Sequence, residues 1–482
     1  LLEKTHSQNH EMYNEYTDVS VSEEPKIDPS MLRQSFEGFP QLSEFEVVRH
    51  YTQLSQKNFS IDAGMYPLGS CTMKYNPKIN DLVASDDRWT QLHPYTPEHL
   101  SQGALSLMYL LQEALVAITK LRACSLHPAA GAHGELVGVK MIRAYHEKMN
   151  QKRDVILVPD SAHGTNPASA ALSGFSVREL KSNAQGFIDL EEVRSKLDER
   201  VAGIMMTVPN TLGVFEQNIR DISSLMHDHG ALVYCDGANL NALVGQVDFS
   251  KMGVDVMHIN LHKTFSTPHG GGGPGAGPVV VSERLESFLP KPLVIKNADG
   301  SYGLEQSRES SVGRYRSFYG NFGMLLRALC YIYAFGCEKI SMISEVAVLN
   351  ANYIRSQLLE YYHLPYQTAT LHEVVFNDKI QNKESGVTTL DLAKRLMDFG
   401  FHPPTMYFPL VVHGALMIEP TETEPKTQID EFIAAMIEIA KESKESPEKV
   451  KSAPHNVGFS RLDETRAARK PILTWFEENS EK

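Results

Sequence analysis

The sequence predicts an α/β protein: a large domain with a mainly parallel sheet, followed by a smaller α+β C-terminal domain. Between residues 122 and 282, short apolar runs alternate with helix-like segments, and each run is followed by Gly, Pro, Asn or His. Continuous apolar runs of this length are typical of strands buried on both faces. The runs are 154–158, 203–208, 231–235, 256–259 and 278–281, and helix-like segments lie at 136–149 and 221–228.

A long amphipathic helix is predicted before this region. Apolar residues recur between 98 and 120 mostly at three- to four-residue steps, as expected for one face of a helix. The residues are Leu100, Leu107, Leu111, Leu115 and Ile118.

The C-terminal part is predicted to be a compact α+β unit. Helix-like segments at 344–361, 389–399 and 424–444 alternate with strand-like runs at 373–376 and 415–418. We divide the chain into an N-terminal arm and extended segment (1–97), a large domain (98–335), a small C-terminal domain (336–445) and a tail (446–482). Residues 1–30 are polar and acidic, and we expect a loosely held arm there.

Composition narrows the classes of function. The 482 residues are 42% hydrophobic and 22% charged, which is typical of a soluble globular protein of two or three packed units. A net charge of −13 argues against nucleic acid as a partner. No apolar run approaches the ~20 residues needed to span a bilayer. Five scattered cysteines without a CxxC pair predict reduced thiols, a cytoplasmic location and no metal site.

A lysine and an aspartate follow two consecutive apolar runs. Lys263 lies in the segment 260–264, directly after the run 256–259 and just before a glycine-rich segment at 270–275, and Asp236 follows the run 231–235. Pyridoxal phosphate (PLP) chemistry needs this pair, because the lysine amine binds the cofactor aldehyde as a Schiff base and the carboxylate keeps the pyridine nitrogen protonated. In isolation, a surface lysine and a strand-ending turn aspartate are the plainer interpretations.

Further polar clusters follow the other runs. Ala130, Gly131 and Ala132 precede a helix-like segment and predict a phosphate site, because exposed N–H groups at a helix start attract anions. His163 is placed to stack on a cofactor ring, and Thr211 to hydrogen-bond its substituents. A turn or a structural histidine would explain each cluster alone. Their joint order at successive strand ends favours a PLP site, to which we also assign Asn239 and His262.

The chain resembles a known family, the PLP subunit of glycine decarboxylase, the P-protein of the glycine cleavage system, in its two-subunit form subunit 2. Long motifs between about residues 35 and 476 carry this resemblance. They lie at 69–77, 127–135, 160–167, 236–241, 260–277, 317–321, 403–405, 407–409 and 418–424.

The resemblance implies the PLP-dependent transferase fold type I (aminotransferase-like) and an oxidoreductase of glycine catabolism, glycine dehydrogenase (decarboxylating). It implies that glycine loses its carboxylate as CO2 and that the aminomethyl group passes to the lipoyl arm of H-protein. Lys263 would serve as the catalytic lysine, and His163 or His262 would move protons. The family also occurs as one long chain of two homologous halves. Because this chain corresponds to the half with the lysine, we expect a separate subunit 1 and an α2β2 heterotetramer.

We predict neutral contacts to the substrate carboxylate. A bidentate arginine clamp would stabilise the ground state of a group that must lose its charge. Ser70, Cys71 and Thr72 are the substrate-binding candidates, with a structural turn as the plainer alternative. Two other functions stay open at this stage: another fold type I enzyme, such as a cysteine desulfurase or aminotransferase, and a cofactor-free scaffold.

Overall fold

The computed structural model describes residues 27–32, 40, 42–270, 273 and 275–474. They form two compact units, Leu1–Ala63 and Gly64–Lys482. The first unit contains a 3-10 turn, Pro29–Met31, and helix α1, Glu44–Ser55, which begins where the Ser43 N–H donates to the Glu46 carboxylate at 2.9 Å. Most of the predicted arm, residues 1–26, lies outside the described residues. The predicted domain boundaries remain a prediction.

The second unit is built on a seven-stranded sheet within the described chain, in the order β1-β7-β6-β5-β4-β2-β3. Its strands are β1 (Ala123–Ser125), β2 (Val155–Pro159), β3 (Ser176–Leu180), β4 (Val201–Thr207), β5 (Leu232–Gly237), β6 (Val256–Ile259) and β7 (Val279–Val281). Neighbouring strands from β3 across to β6 are parallel, which confirms the predicted sheet. β7 departs from this pattern, because it runs antiparallel to both β6 and β1.

Helices separate most of the strands. They are α2 (Lys78–Ala84), α3 (Asp87–Thr90), α4 (Gln102–Thr119), α5 (Gly131–Lys148), α6 (Thr165–Leu172), α7 (Leu190–Lys196), α8 (Ile219–Asp228) and α9 (Leu261–Thr264). The long amphipathic helix predicted near 98–120 is α4. Helix α5 contains all but the last residue of the predicted segment 136–149 and starts at Gly131, so the small residues at 130–132 lie at a helix start, as predicted.

A C-terminal α+β region completes the unit and confirms the predicted architecture. A ribbon of β8 (Leu293–Lys296) and β9 (Tyr302–Glu305) precedes it. Its antiparallel sheet, in the order β10-β12-β11, consists of β10 (Val374–Asn377), β11 (Thr405–Met406) and β12 (Ala415–Ile418). The helices here are α10 (Phe322–Lys339), α11 (Met342–Leu358), α12 (Lys379–Ser385), α13 (Thr389–Asp398), α14 (Lys426–Glu445), α15 (Pro447–Lys451) and α16 (Glu464–Arg469).

Both faces of the main sheet are covered by apolar side chains. Along β4, Ile204 and Met206 join one buried cluster, and Ala202 and Met205 join the cluster on the opposite face. Full burial of a side chain the size of isoleucine or methionine contributes about 1.5–3 kcal/mol to stability. This packing fixes the carboxyl ends of β4, β5 and β6. Among the residues that the structure describes, no helix combines the length and apolar character required to cross a bilayer.

Candidate active site

The two residues predicted to carry the chemistry lie at one edge of the sheet. Asp236 lies within β5 near its carboxyl end, and Lys263 lies in α9, the single helical turn that follows β6. β5 and β6 are adjacent and parallel, with Asp236 in register with His258. Asp236 is 1% exposed. The fold therefore places a buried carboxylate beside the segment that carries the lysine.

Asp236 is held in its charged form. Its Oδ2 accepts from the Asn166 amide at 2.9 Å and its Oδ1 from the Ala238 N–H at 2.9 Å. Nε2 of His258 lies 3.4 Å from Oδ1. Burial works to raise the pKa of Asp236, but His258 and the Asn166 amide outweigh it, and the pKa lies below its ordinary value. A carboxyl group must be ionised in this way to keep a nearby ring nitrogen protonated.

A second buried carboxylate, Glu135 on α5, shares the Asn166 amide with Asp236. The Asn166 amide donates to Glu135 at 2.8 Å. Burial and the charge of Asp236 raise the pKa of Glu135. Of the two carboxyl groups, Asp236 therefore keeps its negative charge to lower pH than Glu135.

His163 lies at the same edge, after β2. The Thr165 hydroxyl donates to Glu135 at 2.8 Å and lies 2.9 Å from Nδ1 of His163. The imidazole packs edge-on against Phe408, with ring centroids 5.6 Å apart. Its neighbours thus link the predicted stacking residue to the same polar network as Asp236.

The predicted phosphate loop packs tightly against the lysine segment. Ala130 is the N-cap of α5, and Gly131 and Ala132 form its first turn. A Cβ on Gly131 would lie 2.2 Å from Oδ1 of Asn260, and one on Gly277 would lie 2.0 Å from the Ala130 carbonyl oxygen. Only glycine allows this close approach. Within the glycine-rich segment, residues 271, 272 and 274 lie outside the described residues.

Lys263 contacts the predicted substrate segment, Ser70 to Thr72. Nζ of Lys263 donates to the Ser70 carbonyl oxygen at 2.8 Å, and Nε2 of His269 lies 3.1 Å from the Cys71 carbonyl oxygen. Thr72 is buried one residue further on. Burial lowers the pKa of His262 to about 3, so this imidazole is neutral at physiological pH.

Comparison with known proteins identifies the family. Residues 343–458 match the family model described as Glycine dehydrogenase, C-terminal domain, and residues 138–294 match Aminotransferase class-V. A probable glycine dehydrogenase (decarboxylating) subunit 2 from Caldanaerobacter subterraneus is 56% identical over 95% of this chain and 95% of the relative. The chain belongs to the glycine dehydrogenase (decarboxylating) subunit 2 family. A probable member from Staphylococcus epidermidis is 52% identical over 97% of this chain and 93% of its own.

Solved structures show the fold of this glycine dehydrogenase subunit 2 chain. The crystal structure of glycine decarboxylase (P-protein) of the glycine cleavage system, in inhibitor-bound form, matches with a TM-score of 0.71 at 17% identity, covering 86% of this chain and 93% of that one. The cysteine desulfurase CsdA from Escherichia coli matches with a TM-score of 0.60 at 14% identity, covering 81% and 98%. The aminotransferase-like fold is therefore confirmed.

Family membership confirms the predicted glycine-decarboxylating enzyme over the cysteine desulfurase or aminotransferase alternative. Together with the class-V aminotransferase match, it also confirms PLP as the cofactor.

The residues at the sheet edge of this subunit 2 chain fit that cofactor. Buried polar atoms normally have hydrogen-bond partners, yet several here have none within the described chain. They are Oγ1 of Thr207, Oδ1 of Asn239, Oδ1 of Asn260 and Nδ1 of His262. With the carboxylate of Asp236 and the amine of Lys263, they supply the donors and acceptors that a phosphorylated pyridine aldehyde requires.

Two side chains that are predicted to contact the cofactor, Thr211 and Asn239, also form hydrogen bonds within the protein. The hydroxyl of Thr211 donates to the Ser161 carbonyl oxygen at 2.5 Å, which leaves its oxygen as an acceptor. The Asn239 amide donates to the Pro209 carbonyl oxygen at 3.1 Å, and its Oδ1 remains unpartnered among the described residues. These contacts fix the orientation of both side chains at the site.

Sequence reasoning gave no roles to several residues that shape this site. Glu135, Asn166, His258, Glu373 and Glu419 are all buried and contact the residues described above. The available signal was an ionisable residue within or beside an apolar strand, as for His258 in β6 and Glu373 before β10. Such residues are almost never fully buried unless they are paired.

Proposed function

We propose that this chain is the catalytic subunit 2 of a two-subunit glycine dehydrogenase (decarboxylating) that removes CO2 from glycine and passes the aminomethyl group to the lipoyl arm of H-protein. The observation that carries this proposal is the charged, buried Asp236 beside the segment of Lys263, within a family of glycine dehydrogenase subunits. When bound, PLP supplies an electron sink for negative charge at the substrate α-carbon.

The residues of this chain have defined tasks in the proposal. Lys263 binds the cofactor aldehyde, Asp236 faces the ring nitrogen, and His163 covers the ring. The first-turn N–H groups of α5, at Ala130, Gly131 and Ala132, bind the phosphate. Asn239, Thr211 and His262 supply the remaining polar contacts to the cofactor.

Glycine is proposed to bind beside Ser70, Cys71 and Thr72. Ser70 offers a hydroxyl and Cys71 a thiol rather than a guanidinium, which suits a carboxylate that must lose its charge. The N–H and the hydroxyl of Thr72 both donate to Glu419, so Thr72 shapes this segment without a free donor of its own. The proton transfers are assigned to Lys263 with His163 or His262. Because His262 is neutral at physiological pH, it enters such a transfer as an acceptor.

We further propose a separate subunit 1 as partner in an α2β2 assembly located in the cytoplasm. Exposed apolar side chains on α2, the helix that follows the substrate segment, support a surface for this partner. On α2, Ile79 is 60% exposed and Leu82, three residues further along the same helix, is 68% exposed. Neighbouring exposed apolar residues of this size are typical of protein interfaces.

Two measurements test the proposal. The purified chain with PLP should absorb near the visible edge of the spectrum, and Lys263→Ala should lose this band while Lys251→Ala, at an exposed lysine, keeps it. Exchange of labelled CO2 into the glycine carboxyl group should then depend on subunit 1 and lipoylated H-protein. Absence of exchange in the complete mixture, or sulfide release from cysteine, would contradict the assignment.

A further inference from the structure

Two buried carboxylates hold the turn that contacts the lysine. The Ser70 N–H donates to Oε2 of Glu373 at 2.9 Å, and the Thr72 N–H donates to Oε2 of Glu419 at 2.9 Å. The Thr72 hydroxyl donates to the second oxygen of Glu419 at 2.5 Å. The carbonyl oxygen of Ser70 accepts from Lys263. Each end of the turn is thus hydrogen-bonded to one glutamate, and its first residue, Ser70, also accepts a hydrogen bond from Lys263.

The backbone of this turn needs such support. Ser70 and Thr72 have φ values of 62° and 49°, in the left-handed region that residues with side chains rarely adopt. A β-branched residue such as threonine is especially unfavourable there. A Cβ on Gly69 would lie 2.1 Å from Cγ of Met417, so the turn is pressed against β12. Conformations of this kind persist only where the surrounding structure holds them.

The two glutamates come from paired strands. Glu373 directly precedes β10 and Glu419 directly follows β12, and the register Val374 to Ile418 places them side by side. They are 0% and 1% exposed. Burial and the neighbouring Glu419 raise the pKa of Glu373 well above its usual range. The Ser70 N–H is thus held by a carboxyl group that binds a proton more readily than an ordinary glutamate. An amide side chain at this position would offer the same acceptor oxygen.

A third contact extends the same arrangement. Lys74, two residues beyond Thr72, is fully buried and donates to Glu422 at 2.6 Å and to the carbonyl oxygen of Thr264 at 2.6 Å. Thr264 is the last residue of α9, directly after Lys263. The segment that contains the turn is therefore tied to the lysine helix at a second point.

We propose that Glu373 and Glu419 are positioning residues for the catalytic lysine: they fix the Ser70–Thr72 turn so that the Ser70 carbonyl oxygen holds the free Lys263 amine. This role rests on the proposed function, because it assumes that Lys263 binds and leaves the cofactor. An amine held at a fixed acceptor stays close to its reaction position instead of sampling many rotamers.

The cofactor-free chain provides the test, with acylation of Lys263 and alkylation of Cys71 as two readouts at one site. Both rates can be measured by mass spectrometry of the corresponding peptides after limited treatment with an acetylating reagent and with iodoacetamide. Glu373→Leu removes the acceptor of the Ser70 N–H, so we expect both rates to rise about tenfold. Glu373→Gln keeps an acceptor oxygen, and both rates should stay within about twofold of wild type.

Glu216 offers a matched control. Like Glu373, it is buried and accepts backbone hydrogen bonds. Its exposure is 2%, and its donors are the N–H groups of Ile188 at 2.8 Å and Asn218 at 3.0 Å. Glu216→Leu should lower thermal stability without changing the labelling of Lys263 or Cys71. If Glu373→Leu does not fold, Glu419→Gln leaves only one of the two acceptors for Thr72 and should raise both rates about threefold.

The outcomes separate this inference from the proposed function. Unchanged labelling in folded Glu373→Leu or Glu419→Gln, or an equal rise in Glu216→Leu, would overturn the positioning role. Failure of the wild-type chain to bind PLP through Lys263 would instead overturn the proposed function, whatever the labelling ratios are. A rise in Glu373→Leu that Glu373→Gln does not share supports the inference.

Discussion

Alanine at Gly277 would test how the phosphate loop is positioned. Gly277 lies between the glycine-rich segment and β7, and its N–H donates to the Pro128 carbonyl oxygen at 3.1 Å. A Cβ there would lie 2.0 Å from the carbonyl oxygen of Ala130, 2.4 Å from its carbonyl carbon and 2.9 Å from the N of Gly131. These are all backbone atoms at the start of α5, so no side-chain rotation relieves the clash.

The expected magnitude follows from these distances. Ordinary contact begins at 3.4 Å, so the backbone at Ala130 must retreat by more than one ångström. Overpacking of a dense interior costs about 1–3 kcal/mol. The same displacement would move the first-turn N–H groups of α5 beyond the range of about 2.7–3.2 Å for a good hydrogen bond. We expect Gly277→Ala to bind PLP about tenfold more weakly or worse, because charge-assisted bonds contribute about 1.5–3 kcal/mol each.

The assay combines thermal unfolding of the cofactor-free chain with a PLP titration followed by absorbance. Gly458→Ala is the control, because a Cβ at Gly458 meets no atom within 4 Å. It should match wild type in both measurements. Wild-type PLP affinity and stability in Gly277→Ala would refute the argument that this close approach positions the phosphate loop.

Three further changes have defined outcomes. Lys74→Met leaves the Glu422 carboxylate buried without its ion pair and should lower the stability by about 3–5 kcal/mol in thermal unfolding, while adding Glu422→Gln should recover most of the loss. Burial and Glu422 raise the pKa of Glu424 to about 7 from 4.5, so the native state binds more protons in this window and stability falls as pH rises through it. Glu424→Gln should therefore exceed wild type by about 1–3 kcal/mol at pH 8, and the two should converge below pH 5. Asp236→Asn should keep the visible PLP band but slow glycine–CO2 exchange about 1000-fold, because a charge interaction of about 4 kcal/mol is lost.

Each of these predictions has a contrary result. Equal losses in the single and double variants at Lys74 and Glu422 would show that the ion pair does not set the stability. A constant difference between Glu424→Gln and wild type from pH 4 to pH 8 would exclude titration of that carboxyl group as the cause. Exchange within tenfold of wild type in Asp236→Asn would show that the negative charge is dispensable.

The sequence by itself determined the parallel strands β4, β5 and β6 and the two residues that follow or end them, Asp236 and Lys263. Apolar runs at 203–208, 231–235 and 256–259 each became a buried strand, because periodicity along the chain reports burial directly. Since parallel neighbours end at the same edge, residues that follow these runs meet there. Asp236 and Lys263 could be found in this way, and family motifs added the turn at Ser70–Thr72.

Some elements could not be predicted from apolar runs in the sequence. β1 is only three residues long, and β3 is largely exposed, so neither produces an apolar run of its own. The direction of β7 depends on its pairing with β6 and β1, and sequence pattern does not distinguish an antiparallel buried strand from a parallel one.

Only the tertiary structure decided which groups surround the lysine. Glu373 and Glu419 lie 303 and 347 positions from the turn residues that they hold, and no local pattern encodes a contact at that separation. The opposite pKa shifts of Asp236 and Glu135 are likewise a tertiary property. They depend on burial and on a shared Asn166 amide, and these exist only when three separate segments pack together.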